Sequence, residues 1–227
     1  MRTGILTILA YFVMCSVSYA SDVYITQSGA SLTANINQDG QTNRFGVTGT
    51  VVTLTGDNQT LDIDQVGNTN TIAASVVGAT QTLTINQAGN SNTSTVSVGA
   101  NSAADDNSII QAITGSSNTT TVNVGSSAAS SDADIDLVAT GSSNTVTINE
   151  NSTASMIGSD KKITSITAIG SSNTITSTHI GAADQDTTLH HTGSSSTFAI
   201  TQDGAHDGSV SITTVGSGHN VTVTMDD

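Results

Sequence analysis

The chain has 227 residues, of which 35% are hydrophobic and 3% aromatic, and it contains no proline. Its 4 basic residues stand against 18 acidic ones, which gives a formal net charge of −14 at pH 7. So few aromatic side chains exclude a thick conventional core, and so acidic a chain is unsuited to electrostatic binding of nucleic acid or anionic lipid. The length fits one domain or one repeat array.

The first predicted element is a secretory signal peptide at residues 1–20. Its apolar run, residues 5–17, has 13 residues, fewer than the roughly 20 that a membrane-spanning helix needs. Small residues occupy the positions that signal peptidase prefers, so we expect cleavage between Ala20 and Ser21. The only cysteine lies inside this segment, so the mature chain, 21–227, has no disulfide. We expect that chain to be secreted, extracellular or at a bacterial outer surface, with no membrane insertion.

The mature sequence repeats a glycine that is followed three residues later by asparagine. The regular copies are Gly40/Asn43, Gly67/Asn70, Gly89/Asn92, Gly115/Asn118, Gly141/Asn144 and Gly170/Asn173. The degenerate copies are Gly193/Ser196 and Gly216/His219. The spacing of these glycines sets a repeat of about 22–29 residues. Because glycine and asparagine tolerate positive φ, each copy predicts a turn between two strands.

Apolar and polar residues alternate on both sides of each glycine, which predicts strands with one buried face. In two successive units the predicted inward positions are Leu61, Ile63, Gln65, Asn70, Ile72, Ala74 and Val76, then Leu83, Ile85, Gln87, Asn92, Ser94, Val96 and Val98. A strand-turn-strand unit cannot bury its apolar side alone. We therefore expect an all-β fold, a two-sheet β-solenoid of eight or nine units stacked about 4.8 Å apart. Buried Asn and Gln side chains would pair along the stack as ladders.

Three copies carry a longer motif, Gln-x-Gly-x-x-Asn, at 38–43, 65–70 and 87–92. This motif resembles the curlin repeat, which builds secreted bacterial curli fibres. The similarity covers 22–227 unevenly. Its later glutamine positions hold Ile113, Ala139, Ala168, His191 and Thr214. The resemblance implies a major or minor subunit that polymerises into amyloid fibres for cell adhesion and biofilm matrix. Its partners would be further copies of itself, other curlin-like subunits and an outer-membrane export machinery.

Threonines are predicted to face outward on the second strand of each unit. They are Thr93 and Thr95, Thr119 and Thr121, Thr145 and Thr147, Thr174, Thr176 and Thr178, Thr197 and Thr201, and Thr222 and Thr224. On a flat sheet their hydroxyls would repeat about 6.8 Å along a strand and about 4.8 Å between strands. This grid resembles the faces of β-solenoid ice-binding proteins. The alternative function is therefore a monomeric solenoid that acts as an ice-binding protein or surface adhesin, and the simpler interpretation is a soluble outer face.

Acidic groups and histidines are the remaining candidates for chemistry. The acidic groups are Asp105-Asp106, Asp132-x-Asp134-x-Asp136 and Asp184-x-Asp186, and the histidines are His179, His190, His191, His206 and His219. The aspartates lack the spacing of known calcium loops, so a solvated face is the simpler interpretation. No two histidines have a recognised ligand spacing, and we expect His191 and His219 to replace Gln and Asn in the ladders. The sequence predicts no enzyme, no cofactor and no metal site.

Overall fold

A computed structural model of the chain describes residues 10–12, 21–40, 42–46, 51–99, 107–125, 133–151, 161–181, 184–204 and 207–226. These residues form strands and turns and no helix. None of them therefore belongs to a helix that is long and apolar enough to cross a bilayer.

The strands form two sheets. The first sheet contains, in spatial order, β1 (Ala10–Phe12), β4 (Thr33–Asp39), β7 (Gln59–Val66), β9 (Gln81–Ala88), β11 (Asn107–Thr114), β13 (Ala133–Thr140), β15 (Lys161–Ile169), β17 (Asp184–Ser194) and β19 (Gly208–Ser217). The second contains β2 (Ser21–Val23), β5 (Asn43–Phe45), β8 (Thr71–Val77), β10 (Thr93–Val98), β12 (Thr119–Val124), β14 (Thr145–Asn151), β16 (Thr174–Ile180), β18 (Thr197–Asp203) and β20 (Asn220–Asp226). Beside β8 it also holds β6 (Val52–Thr55), which pairs with β3 (Thr26–Ser28).

The chain alternates between the two sheets, and neighbouring strands within each sheet are parallel. Pairing steps by 27 residues from β4 to β7, where Ala34 pairs with Leu61, and by 22 residues to Leu83 in β9. We call two consecutive strands, one in each sheet, a rung, and successive rungs stack along the solenoid. From β4–β5 to β19–β20 the chain makes about seven turns. The prediction of an all-β, two-sheet β-solenoid is confirmed.

The core lies between the two sheets. Each sheet contributes one layer of inward-facing side chains to it. Every side chain predicted to face inward in the units at 61–76 and 83–98 is buried. The largest buried side chains include Phe45 and Phe198, each with no exposed surface. Two aromatic residues therefore suffice, because rows of Val, Ile and Leu from successive rungs fill most of the interior.

The first strand falls within the predicted signal peptide. Ala10–Phe12 pairs with Ala34–Ile36 at the edge of the first sheet. The predicted cleavage site joins Ala20, which lies outside the described residues, to Ser21 at the start of β2. Cleavage there would remove β1 and leave the backbone edge of β4 open.

Candidate functional site

The stacking aligns the Gln-x-Gly-x-x-Asn motifs in straight columns. Gln38, Gln65 and Gln87 are register partners in β4, β7 and β9. The same column then continues in the order predicted from the sequence, through Ile113, Ala139, Ala168, His191 and Thr214. The glutamine column is therefore polar at one end of the solenoid and mostly apolar after its third member.

The glutamines form the ladder that the sequence predicted. Gln65 Nε2 donates to Gln38 Oε1 at 2.6 Å, and Gln87 Nε2 donates to Gln65 Oε1 at 3.1 Å. All three side chains are buried. The ladder ends at Gln87, whose Oε1 has no hydrogen-bond partner because Ile113 follows it in the column.

The asparagines act differently, because they bind the main chain rather than one another. Asn43 Nδ2 donates to the carbonyls of Gln38 and Val66, both at 2.8 Å. Further along, Asn118 Oδ1 accepts from the backbone N–H of Asn92 at 3.1 Å, and this pattern repeats at Asn144 and Asn173. Each asparagine therefore ties its own turn to the turn of a neighbouring rung.

The turn glycines are required mainly by the close approach of successive turns. A Cβ atom on Gly67 would lie 1.7 Å from the carbonyl oxygen of Gly40, and one on Gly141 would lie 1.5 Å from that of Gly115. Gly141 also has φ +138°, as the sequence predicted, whereas Gly67 is outside the left-handed region. The other left-handed residue of the later turns is the serine before the asparagine, as at Ser143 with φ 60°.

The predicted threonine face is present on the outer side of the second sheet. One column runs through Thr93, Thr119, Thr145, Thr174 and Thr197, and a second through Thr95, Thr121, Thr147 and Thr176. Ala199 interrupts the second column before Thr222. The side chains in both columns are exposed or half-buried, so they form a regular uncharged array of hydroxyl and methyl groups.

A buried polar network that the sequence did not reveal lies in the C-terminal half of the core. Glu150, the only glutamate of the chain, places Oε2 2.6 Å from His179 Nδ1 on the next rung. Thr164 Oγ1 donates to Glu150 Oε1 at 3.0 Å. His179 Nε2 lies 2.7 Å from Ser177 Oγ and 3.1 Å from Thr187 Oγ1. These contacts link both sheets through side chains that are no more than 1% exposed.

The order Ser177, His179 and Glu150 matches the nucleophile, base and acid of a hydrolytic triad. All three side chains are enclosed between the sheets, however, so a substrate cannot reach Ser177 in the folded chain. The inward column that contains Glu150 explains the arrangement more simply. The same position holds Val76, Val98 and Val124 in earlier rungs, so the network replaces an apolar row with paired polar groups.

Three aromatic rings meet at the end of the solenoid. The ring centroid of His191 lies 5.0 Å from that of Phe198 and 4.9 Å from that of His219. His191 Nδ1–H donates to the Ala168 carbonyl at 3.0 Å. Burial lowers the pKa of His191, the hydrogen bond to Ala168 raises it, and the neighbouring His219 lowers it further, with a net downward shift. His191 is the register partner of Ala168, which confirms its predicted place in the glutamine column.

The lowered pKa of His191 predicts a loss of stability in acid. The unfolded chain, with an ordinary histidine pKa of about 6.5, binds this proton more readily than the folded chain does. The contribution of neutral His191 to the free energy of unfolding is therefore complete above about pH 6.5, and it is lost as the pH falls toward the folded-state pKa. We expect His191→Gln to flatten the decline in unfolding free energy between pH 7 and pH 5, measured by urea denaturation. His190→Gln, on the solvent face of the same strand, is the control, and an equal flattening there would contradict the assignment.

The predicted acidic groups do not gather into one site. Asp105, Asp106, Asp132 and His206 lie outside the described residues. Asp134 and Asp136 are exposed on β13, and Asp184 and Asp186 lie on β17, with β15 between the two strands. Within the described part of the chain, no group of three or more His, Cys, Asp or Glu side chains is placed to hold a metal ion.

Two further aspartates form a pair on the outer face of the first sheet. Asp62 and Asp64 lie two residues apart on β7, and burial, followed by the charge of Asp64, raises the pKa of Asp62. Asn86 Nδ2 donates to Asp64 Oδ1 at 2.8 Å, and Asn35 Nδ2 donates to Asp62 Oδ2 at 3.4 Å. The amides of neighbouring rungs thus partly offset the repulsion between the two carboxylates.

The last rung leaves one end of the described core open. Val221, Val223 and Met225 continue the inward columns of β18, yet they are 45%, 43% and 51% exposed. Among the described residues, no strand pairs with the outer edges of β19 and β20. This end therefore combines two unpaired backbone edges with an apolar row that the next rung would cover.

The fold and these columns define the chain as a β-solenoid built from strand-turn-strand repeats. No family model, no curated protein and no solved structure matches it.

Proposed function

We propose that the mature chain is a secreted structural protein that assembles into curli-like fibres by stacking its rungs end to end. The observation that carries this proposal is the last described rung, β19–β20, whose apolar row is exposed and whose outer edges pair with no other strand in the described residues. Cell adhesion and a biofilm matrix are the roles that follow from the curlin-like motifs at 38–43, 65–70 and 87–92. Other curlin-like subunits and an outer-membrane export machinery would be its further partners.

Stacking suits the physical chemistry of an open rung. A second copy that adds its first rung would satisfy the free backbone groups of β19 and β20 and bury the row at Val221, Val223 and Met225. All of the assigned pairings within the chain are parallel, so such addition continues the same geometry. We propose no catalytic activity, because the triad-like arrangement in the described residues is enclosed.

Time-resolved negative-stain electron microscopy tests the proposal directly. The protein without residues 1–20 would be desalted from denaturant at neutral pH and followed for hours. We expect unbranched fibres to grow. A folded monomer that persists at all concentrations would contradict the proposal.

A charge in the open rung should block assembly. Val223→Lys places an ammonium group where a second copy would cover it, and we expect fibre elongation to slow at least about tenfold, equivalent to about 1.4 kcal/mol at the interface. Thr222→Lys, on the outer face of the same strand, is the matched control and should elongate at nearly the wild-type rate. Thioflavin fluorescence with seeded fibres measures both rates, and equal rates would rule out stacking at this end.

The alternative function, a monomeric solenoid whose threonine face binds ice or serves as a surface adhesin, is favoured by one specific observation. Two straight columns of threonines, one from Thr93 to Thr197 and one from Thr95 to Thr176, repeat at the spacing of the rungs. The first column meets charged residues only beyond Thr71, at Arg44 and Asp22. We expect wild-type protein to inhibit ice recrystallisation if this face binds ice, and Thr121→Lys with Thr147→Lys to abolish the effect. Thr84→Lys, on the outer face of the first sheet, is the control. Absence of inhibition in the wild type would remove the ice-binding function.

A further inference from the structure

We propose that His191 and His219 form a binding site for a divalent transition-metal ion such as zinc at the last turn of the solenoid. The two residues are 28 positions apart in the sequence, with no recognised ligand spacing. Stacking brings them together because His191 holds a glutamine position and His219 holds the asparagine position of the following rung. The site does not depend on fibre assembly.

The separation of the rings fits a shared metal ion. The two ring centroids are 4.9 Å apart, and the ring planes are nearly perpendicular, at 88°. With Zn–N bonds of about 2.0–2.1 Å at a tetrahedral angle, two imidazoles on one zinc ion have their centroids roughly 5 Å apart. The separation of the two rings therefore matches that of two imidazoles on one ion.

Three ring nitrogens of the two histidines have no hydrogen-bond partner. His191 Nδ1–H donates to the Ala168 carbonyl, so Nε2 carries the free lone pair. This Nε2 atom is buried and has no hydrogen-bond partner, and neither nitrogen of His219 has one. Buried polar atoms are normally satisfied, so three orphan nitrogens on two touching rings call for a ligand. A backbone carbonyl on the opposite nitrogen is also the contact that commonly orients a metal-binding histidine.

Imidazole ligands and the negative charge of the chain favour a metal cation that prefers nitrogen ligands. Imidazole suits zinc, copper and nickel, whereas the Gln and Asn side chains of earlier rungs offer harder oxygen donors. The formal charge of −14 attracts cations to the chain. Two protein ligands leave the remaining coordination positions to water, which can enter at the open last rung, where the inward-facing Val221 is 45% exposed.

Zinc chloride titrated into the purified full chain at pH 7.5 tests the site. We expect saturable binding of one ion by calorimetry, and at zinc concentrations 100 times the Kd an increase of about 100-fold in the ratio of folded to unfolded chain. His191→Gln and His219→Asn restore the column residues of the early rungs, so both variants should fold, and each should abolish binding. His190→Gln, on the solvent face of β17, should bind as the wild type does.

Binding that persists unchanged in both His191→Gln and His219→Asn would overturn the site, because the ion would then be held elsewhere, as by the aspartates. Absence of saturable binding up to millimolar zinc would overturn it as well, leaving the rings as an aromatic cluster with Phe198. If either variant misfolds, ¹⁵N spectra of the wild-type histidines decide the question. Zinc should shift the Nε2 resonance of His191, and binding that leaves this resonance in place would contradict the proposal.

Discussion

Replacing Gly67 with alanine is expected to lower the free energy of unfolding by about 3 kcal/mol or more. The added Cβ would lie 1.7 Å from the carbonyl oxygen of Gly40 and 3.1 Å from Asn70 Oδ1. The first of these atoms belongs to the backbone, so the two turns must move apart, and the hydrogen bonds between their rungs would lengthen. Urea denaturation followed by circular dichroism measures the loss.

The control for Gly67→Ala is Gly204→Ala. Gly204 has φ +76°, which strains an alanine, but its Cβ would lie 3.5 Å from the nearest atom, the carbonyl oxygen of Gly181. This variant therefore carries only the left-handed strain, about 1–2 kcal/mol. If Gly67→Ala costs no more than Gly204→Ala, close stacking of the turns is not what selects glycine.

Replacing Glu150 with alanine is expected to lower the free energy of unfolding by about 3–5 kcal/mol. The change removes the carboxylate that lies 2.6 Å from His179 Nδ1 and accepts from Thr164 at 3.0 Å. It leaves a buried imidazole and a buried hydroxyl without these partners, and it opens a cavity in a core with no exposed surface nearby. Thermal or urea unfolding of the wild type and the variant gives the difference.

The double variant Glu150→Val with His179→Val tests whether the loss comes from leaving one partner of the pair unsatisfied, or from changing this core position at all. Valine already fills this column at Val76, Val98 and Val124, so both new side chains fit the observed row. Replacing a buried ion or hydrogen-bond pair by apolar groups is often neutral or stabilising, so we expect the double variant to recover most of the loss. A double variant whose loss equals the sum of the losses in Glu150→Val and His179→Val would show that the two side chains are not energetically coupled, and it would contradict the assigned pairing.

The two halves of the solenoid are therefore stabilised in different ways. The early rungs combine the Gln38–Gln65–Gln87 ladder with an apolar row, and the later rungs combine an apolar glutamine column with the network at Glu150 and His179. The two features occupy different inward columns, since the glutamine column belongs to the first sheet and the column of Glu150 and His179 belongs to the second. A variant designed in one half should have little effect on hydrogen bonding in the other.

Much of the fold could be predicted from local patterns. Period-two alternation determines which side chains face inward, and the glycine spacing sets the register, so the core positions at 61–76 and 83–98 and the glutamine column followed directly. The glutamine ladder also followed, since identical amides at register-paired inward positions can donate and accept along the stack. The role of the asparagines did not, because the choice between a side-chain ladder and a bond to the main chain depends on the exact path of each turn.

The sequence by itself determined that this chain is an all-β solenoid, since alternation and repeat length are properties of short segments. Only the tertiary structure decided that Glu150 meets His179, that His191 touches His219, and that Gly67 is needed for contact with Gly40. Each of these contacts joins residues from successive rungs, 27 to 29 positions apart. The loops between rungs vary in length, and a difference of a single residue in register would turn Glu150, His179, His191 and His219 to the opposite face.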